Sequence, residues 1–166
     1  MVSAATAVGV ARRALSEVAD PEIPVISVLD LGIVRSIELE PDGTLAVGIA
    51  PTYSGCPATQ VIKADIGAAL AAAGFERLRL TEVLAPPWTS DWISAAGRRK
   101  LADYGIAPPP APVGSPRALR GAEAPPACPR CGSTDTELVS EFGSTPCKAL
   151  HRCRSCLEPF DRFKCI

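Results

Sequence analysis

Cysteine is the residue type most able to do chemistry in this chain, and its seven copies fall into two groups. Cys56 stands alone in Thr52-Tyr-Ser-Gly-Cys-Pro57, while the other six lie within residues 128–166. Four of those six form Cys128-Pro-Arg-Cys131 and Cys153-Arg-Ser-Cys156, with 21 residues between the pairs. Each CxxC turn can offer two thiolates to one ion, and two turns complete a tetrahedron with zinc–sulfur distances of about 2.3 Å. So short a segment cannot fold on a core of its own, so the metal is expected to supply much of its stability. Structural zinc is the expected occupant. The same spacing also holds a single iron of the rubredoxin type, and that alternative stays open. Cys147 and Cys165 could replace a ligand, form a second site or pack as small buried hydrophobes, the last being the plainest reading. His151, the one histidine, is expected on a strand at the surface rather than on a metal.

Cys56 poses a different question. Pro57 suits a first helical position, so the thiol should sit at a helix N-terminus, facing unpaired N–H groups and the positive end of the helix dipole. Both favour thiolate, and Cys56 should titrate below its ordinary pKa of about 8.5. Gly55 permits close backbone approach, and Thr52 supplies a hydroxyl nearby. A reactive, metal-binding or sulfur-handling cysteine and a small filler at a helix start are equally compatible with spacing alone. Asp20-Pro-Glu22 adds a carboxylate loop that approaches Cys56 if the first helix packs beside the following hairpin; turn-making and capping are its plainer roles. Asp30-Leu-Gly32 reads as turn chemistry.

Absent motifs narrow the function. One histidine, remote from Cys56 in sequence, argues against a Cys–His nucleophile pair. There is no Glu-x-x-His pair for a di-iron site, no GxGxxG and no P-loop. The net charge is −1, and neither residues 1–106 (9 basic, 12 acidic) nor 107–166 (8 basic, 6 acidic) carry the field that nucleic-acid binding requires. No apolar run approaches the roughly 18–20 residues of a membrane span. The small apolar N-terminus lacks a basic leader region, so a secretory signal is not expected. Paired CxxC turns in such a chain point to metal thiolates in a reducing cytoplasm.

The elements that must position these residues follow from periodicity. Val8, Ala11, Leu15 and Val18 predict a helix over 4–19, broken by Asp20-Pro-Glu-Ile-Pro24. Ile33, Ile37 and Leu39, then Pro41-Asp-Gly43, then Leu45, Val47 and Ile49 predict a hairpin. Ile62, Ile66, Leu70 and Ala73 mark a second helix closed by Gly74. A third strand is expected over 77–84, and Trp88, Trp92 and Leu101 suggest one last helix ending near Tyr104-Gly105. The order αββαβα implies an α+β domain over 1–106, its small mixed sheet covered by helices on one face. Residues 107–127 hold seven prolines and read as an extended linker reaching roughly 65 Å. Residues 128–166 form the small all-β zinc ribbon.

The motifs together resemble a known family. Asp20-Pro-Glu-Ile-Pro24, Asp30-Leu-Gly-Ile-Val34 and Thr52-Tyr-Ser-Gly-Cys-Pro57 resemble the SufT-like iron–sulfur cluster assembly family over about residues 6–106. The added ribbon, with Phe142-Gly-Ser-Thr-Pro-Cys-Lys-Ala-Leu150 and Glu158-Pro-Phe-Asp-Arg-Phe-Lys-Cys165, is similar to the PaaD family, which belongs to the phenylacetyl-CoA 1,2-epoxidase system. The resemblance implies an accessory iron–sulfur maturation role in aerobic phenylacetate degradation rather than a catalyst in its own right. Within that system other subunits carry the di-iron oxygenase, and a reductase carries flavin and a [2Fe–2S] cluster; these are the implied partners. It places the family's functional cysteine on Cys56 and its Asp-Pro-Glu loop on Asp20 and Glu22, with Thr52 in the same motif. Cys56 would hold iron or a labile cluster transiently, while Cys128, Cys131, Cys153 and Cys156 hold structural zinc. Two rivals remain: a stable structural or electron-transfer subunit with iron in the ribbon, and a thiol redox enzyme using Cys56. Self-association as a dimer stays open.

Overall fold

In the computed structural model, residues 3–52, 58–110 and 125–164 are described. Contacts divide the chain into two units, Met1–Gly97 and Arg98–Ile166. Among the described residues, no helix is long and apolar enough to cross a membrane.

The first unit begins with helix α1, Ala4–Ser16, whose start is capped by Ser3: its Oγ accepts from the Thr6 N–H at 3.2 Å. Ala7, Ala11 and Leu15 recur every four residues and are buried. The helix stops three residues short of the expected end. Ala19 is drawn into an antiparallel bridge with Ser27 instead, the Val18 carbonyl accepting from Val28 N–H and Asp20 N–H donating to the Ile26 carbonyl, both at 2.9 Å. Strands β1 (Val34–Leu39) and β2 (Leu45–Ile49) form the expected antiparallel hairpin, with Ile37 opposite Val47. The turn holds because Asp42 accepts from Thr44 N–H, and Gly43 takes φ +85°, a region costly to other residues.

Helix α2, Thr59–Ala72, buries Thr59, Ile62, Ile66 and Leu70 along one stripe. It closes where Gly74 adopts φ +93° and Phe75 N–H returns to the Leu70 carbonyl. Strand β3, Leu78–Glu82, then pairs parallel with β2, so the three-stranded sheet runs β1-β2-β3 and is mixed, as expected. Helices α1 and α2 pack on each other and on β1 and β3 respectively. The fully buried Leu15, Ile33, Leu45, Ile49, Ile66 and Leu70 form the core.

The last helix ends where expected but starts late, so Trp88 and Trp92 lie outside it. A short 3-10 turn, Ser90–Trp92, precedes an extended Ile93, and helix α3 starts at Ala95 and runs to Asp103. Ser94 causes the break. Its N–H is committed to the Asp30 carbonyl at 2.8 Å, while its Oγ accepts from Gly97 N–H as an N-cap.

The second unit is a four-stranded sheet ordered β4 (Ile106–Ala107), β7 (Pro159–Phe163), β6 (Lys148–Cys153) and β5 (Thr136–Ser140). Sequence places the residues of β4 in the other domain or in the linker. Ile106 and Ala107 instead lie parallel to Asp161 and Arg162, and Arg98 holds the carbonyls of Pro109 and Pro110 at 2.5 and 2.8 Å. Contacts therefore divide the chain after Gly97 rather than after residue 106.

Candidate functional site

Four sulfurs form the first candidate centre. The Cys128-x-x-Cys131 turn is closed by Gly132 N–H donating to the Cys128 carbonyl, with Gly132 at φ +75°. The second turn, Cys153-x-x-Cys156, ends on Leu157 in the same left-handed region, at φ +64°. Ser133 Oγ and Ser155 Oγ, 2.8 Å apart, and the Arg130–Glu158 ion pair bind the two turns together. The ligand atoms of Cys128, Cys131, Cys153 and Cys156 all lie within 4.8 Å of one another. Cys128 and Cys156 sulfurs are 3.7 Å apart, and those of Cys131 and Cys153 are 3.6 Å apart. Zinc–sulfur bonds of about 2.3 Å imply a tetrahedral edge of about 3.8 Å. The donor set thus fits a tetrahedral thiolate metal, and the separations are far too long for a disulfide.

The charge of the cluster argues the same way. The backbone N–H of Cys156 does most to lower the Cys153 thiol to about 6, against burial and with help from Ser155 N–H and the neighbouring thiols. Cys156 is pushed up to about 12: the Glu158 N–H favours its thiolate, but burial and the thiols of Cys131, Cys153 and Cys128 outweigh it. A cation held between the sulfurs would favour the thiolate form. Ala107 and Phe160 cover the inner sulfurs of Cys128 and Cys153, while Cys131 and Cys156 face outward.

Cys147 and His151 are not in this cluster. Cys147 is buried, with its Sγ 3.0 Å from Thr145 Oγ1, in keeping with the packing role. His151 sits on β6 as expected but is only 6% exposed, not at the surface. It stacks on Phe160 at 5.7 Å, and burial, then Arg162, lower its pKa, keeping it neutral at pH 7. Cys165 lies outside the described residues.

The second candidate centre rests in sequence on Asp20, Glu22, Thr52 and Cys56, of which the first three are among the described residues. Asp20 is buried, and its Oδ1 accepts from Glu22 N–H at 2.8 Å and Ile23 N–H at 2.9 Å. That is the capping role that sequence offers as its plainer function, and it holds the Pro21–Pro24 turn rigid. Glu22 is half-buried, and the turn uses its N–H. Thr52 is half-buried on the segment between β2 and α2. A ladder of backbone hydrogen bonds joins the two loops: Val28 N–H to Val18 O, Ile33 N–H to Val28 O, and Ala50 N–H to Ile33 O, at 2.9, 3.1 and 2.8 Å. Asp20 lies two residues past one end of that ladder and Thr52 two residues past the other.

Cys56 and Pro57 lie outside the described residues. Helix α2 starts just beyond them at Thr59, with Ala58 at the N-cap and, among the described residues, no side chain capping it. Its first turn carries no acidic residue, and the positive end of its dipole favours an anion there.

Comparison with known proteins gives this arrangement a family. Residues 10–76 match the iron–sulfur cluster assembly protein family and residues 112–164 match the PaaD zinc beta ribbon domain. The chain is 47% identical, over 92% of its length and 89% of the relative's, to an Escherichia coli (strain K12) protein provisionally named as a subunit of 1,2-phenylacetyl-CoA epoxidase. The chain belongs to the PaaD family. Over 49% of its length it is also 34% identical to 79% of the Fe-S protein maturation auxiliary factor YitW of Bacillus subtilis (strain 168). A solved domain of unknown function (DUF59) from Bacillus anthracis shares the fold, with a TM-score of 0.55 and 21% identity over 59% of this chain and 93% of that one. The iron–sulfur assembly match ends at residue 76, while the loop that clamps Asp30, residues 88–94, lies beyond it. Sequence reading misses that loop; its one signal is Ser94 placed as a helix cap.

Proposed function

We propose that this protein is the accessory iron–sulfur maturation subunit of a phenylacetyl-CoA epoxidase system. The observation that carries the reading is the pairing in one chain of an iron–sulfur assembly domain with a PaaD ribbon, together with 47% identity over 92% of the chain to the epoxidase-system relative. Cys56 acts as the working thiolate, taking iron or a labile cluster as cargo and passing it on. The start of α2, which no described side chain caps, supports it by favouring negative charge at the preceding residues. Glu22 is the better placed of the two carboxylates to accept a proton or touch a hard metal ion, because the turn consumes Asp20 Oδ1. Thr52 contributes a hydroxyl on the segment leading to Cys56.

The ribbon holds zinc through Cys128, Cys131, Cys153 and Cys156 and presents a surface to the client. Zinc there supplies charge neutralisation and rigidity, not redox chemistry. The client is the [2Fe–2S] reductase of the same system. Production of that reductase with and without this chain tests the reading. The reductase made alone should carry well under half of its iron and acid-labile sulfide; full loading in its absence would rule the maturation role out.

A further inference from the structure

The sulfurs of the four-cysteine centre meet in two pairs. Cys156 Sγ lies 3.7 Å from Cys128 Sγ, and Cys131 Sγ lies 3.6 Å from Cys153 Sγ. Both contacts cross from one CxxC turn to the other, spanning 28 and 22 positions in sequence. Each also joins unlike members. Cys128 and Cys153 are 2% and 0% exposed and pack with Ala107 and Phe160, whereas Cys131 and Cys156 face outward. Every pair thus holds one sulfur that a small solute can reach and one that it cannot.

That is the arrangement of an attacked thiol beside a resolving thiol. An oxidised outer sulfur has a second sulfur next to it, and a disulfide needs the two to close by only about 1.6 Å. Contacts that involve no sulfur hold the two turns face to face. Ser133 Oγ and Ser155 Oγ are 2.8 Å apart, and Arg130 pairs with Glu158. Arg154 N–H donates to the Asp135 carbonyl at 2.9 Å, and the Arg154 guanidinium donates to Glu137 at 3.0 Å. These groups can keep the register of the turns while the sulfurs change partners.

We propose that the four-cysteine centre is a peroxide-responsive switch: oxidation joins Cys156 to Cys128 and Cys131 to Cys153 across the two turns, gives up the metal and leaves the ribbon folded. The inference rests on the four thiolates holding zinc, not on the maturation role. In each pair the outer thiolate attacks hydrogen peroxide, forming an S–O bond, breaking the O–O bond and releasing hydroxide. The inner thiolate then attacks that sulfur, forming the S–S bond and expelling the second oxygen as hydroxide. Two electrons pass from each sulfur pair to one peroxide, and the hydroxides are neutralised by buffer protons. A disulfide sulfur has lost the thiolate charge that binds metal, so the donor set is gone. The two crosslinks, closing spans of 28 and 22 positions, restrict the unfolded chain instead.

Hydrogen peroxide added to the full, zinc-loaded chain tests it. Three quantities are read: zinc released to a chromophoric indicator, amide exchange across β5 to β7, and the disulfide map of the alkylated protein. Arg130 and Arg154 each separate the two cysteines of one turn, so trypsin places all four on different peptides. Excess peroxide should speed zinc release by about tenfold or more. The map should link Cys128 to Cys156 and Cys131 to Cys153, with β5 to β7 still protected. A thiol reductant with added zinc should restore the starting metal content. Disulfides within a turn, Cys128 to Cys131 or Cys153 to Cys156, overturn the switch. So does zinc that stays bound in excess peroxide, and so do strands that lose protection as it leaves. A purified chain holding no zinc before peroxide is added contradicts the metal assignment itself, and that result is read before any oxidant is present.

Discussion

Cys128→Ser should unfold the ribbon and release its metal while leaving the first unit folded. The relative size of core and metal contribution decides this. Among the described residues, the apolar cluster around the sulfurs consists of Ala107, Cys128, Cys153 and Phe160, so two of its four members belong to the four-cysteine group that could hold a metal. Structural zinc in small thiolate domains contributes roughly 10–16 kcal/mol at neutral pH, more than a sheet of this size can replace. Bound zinc, measured by atomic emission, should fall from about one to near zero per chain. Amide exchange across β5 to β7 should lose its protection, whereas β1 to β3 should keep theirs. A strong chelator should reproduce the pattern in the wild-type protein. A colourless wild-type protein is expected, since zinc tetrathiolate does not absorb visible light; a ferric tetrathiolate spectrum would instead support the electron-transfer alternative. If Cys128→Ser keeps both its metal and its protected strands, the four-sulfur site is misassigned.

The next largest effect is expected at Gly32. It lies at φ +71°, and the missing Cβ would sit 2.7 Å from Trp92 Cβ and O. Alanine there incurs the left-handed backbone cost of about 1 kcal/mol and forces an overpacked contact worth about 1–3 kcal/mol more. A total near ~3 kcal/mol should lower the melting temperature of the first unit by about 10–20 °C. Gly43→Ala is the matched control, because Gly43 has φ +85° but open space around its Cα. It should lose only the backbone part. Equal melting shifts in the two variants would show that Trp92 does not press on Gly32.

Residues with a strong local signal behave as periodicity and turn chemistry require. Leu45, Val47 and Ile49 alternate into the core, Ile62, Ile66 and Leu70 form the buried stripe of α2, and Gly74 ends that helix. The CxxC spacing likewise brings four sulfurs together. What local pattern does not carry is set by partners distant in sequence. The Asp30 carbonyl, 64 residues away, stops a helix from running through Ser94. Pairing with Asp161 and Arg162 pulls Ile106 and Ala107 into the ribbon, although proline content alone marks the chain nearby as linker. His151 shows the same limit. On a strand its burial depends on what lies opposite, and Phe160 of β7 covers it. Asp20 could be read either as a reactive carboxylate or as a turn-maker, and its bonds to Glu22 and Ile23 N–H show the second role.

Cys56 is proposed to handle iron–sulfur cargo for a client protein. Its most direct test is the iron and acid-labile sulfide content of the epoxidase-system reductase when produced alongside the Cys56→Ser chain. Serine preserves size at this position and removes the soft thiolate ligand. The reductase should be loaded no better than when this chain is absent, while Cys56→Ser itself retains the zinc and melting temperature of the wild type. A fully loaded reductase beside a folded Cys56→Ser chain would contradict the account.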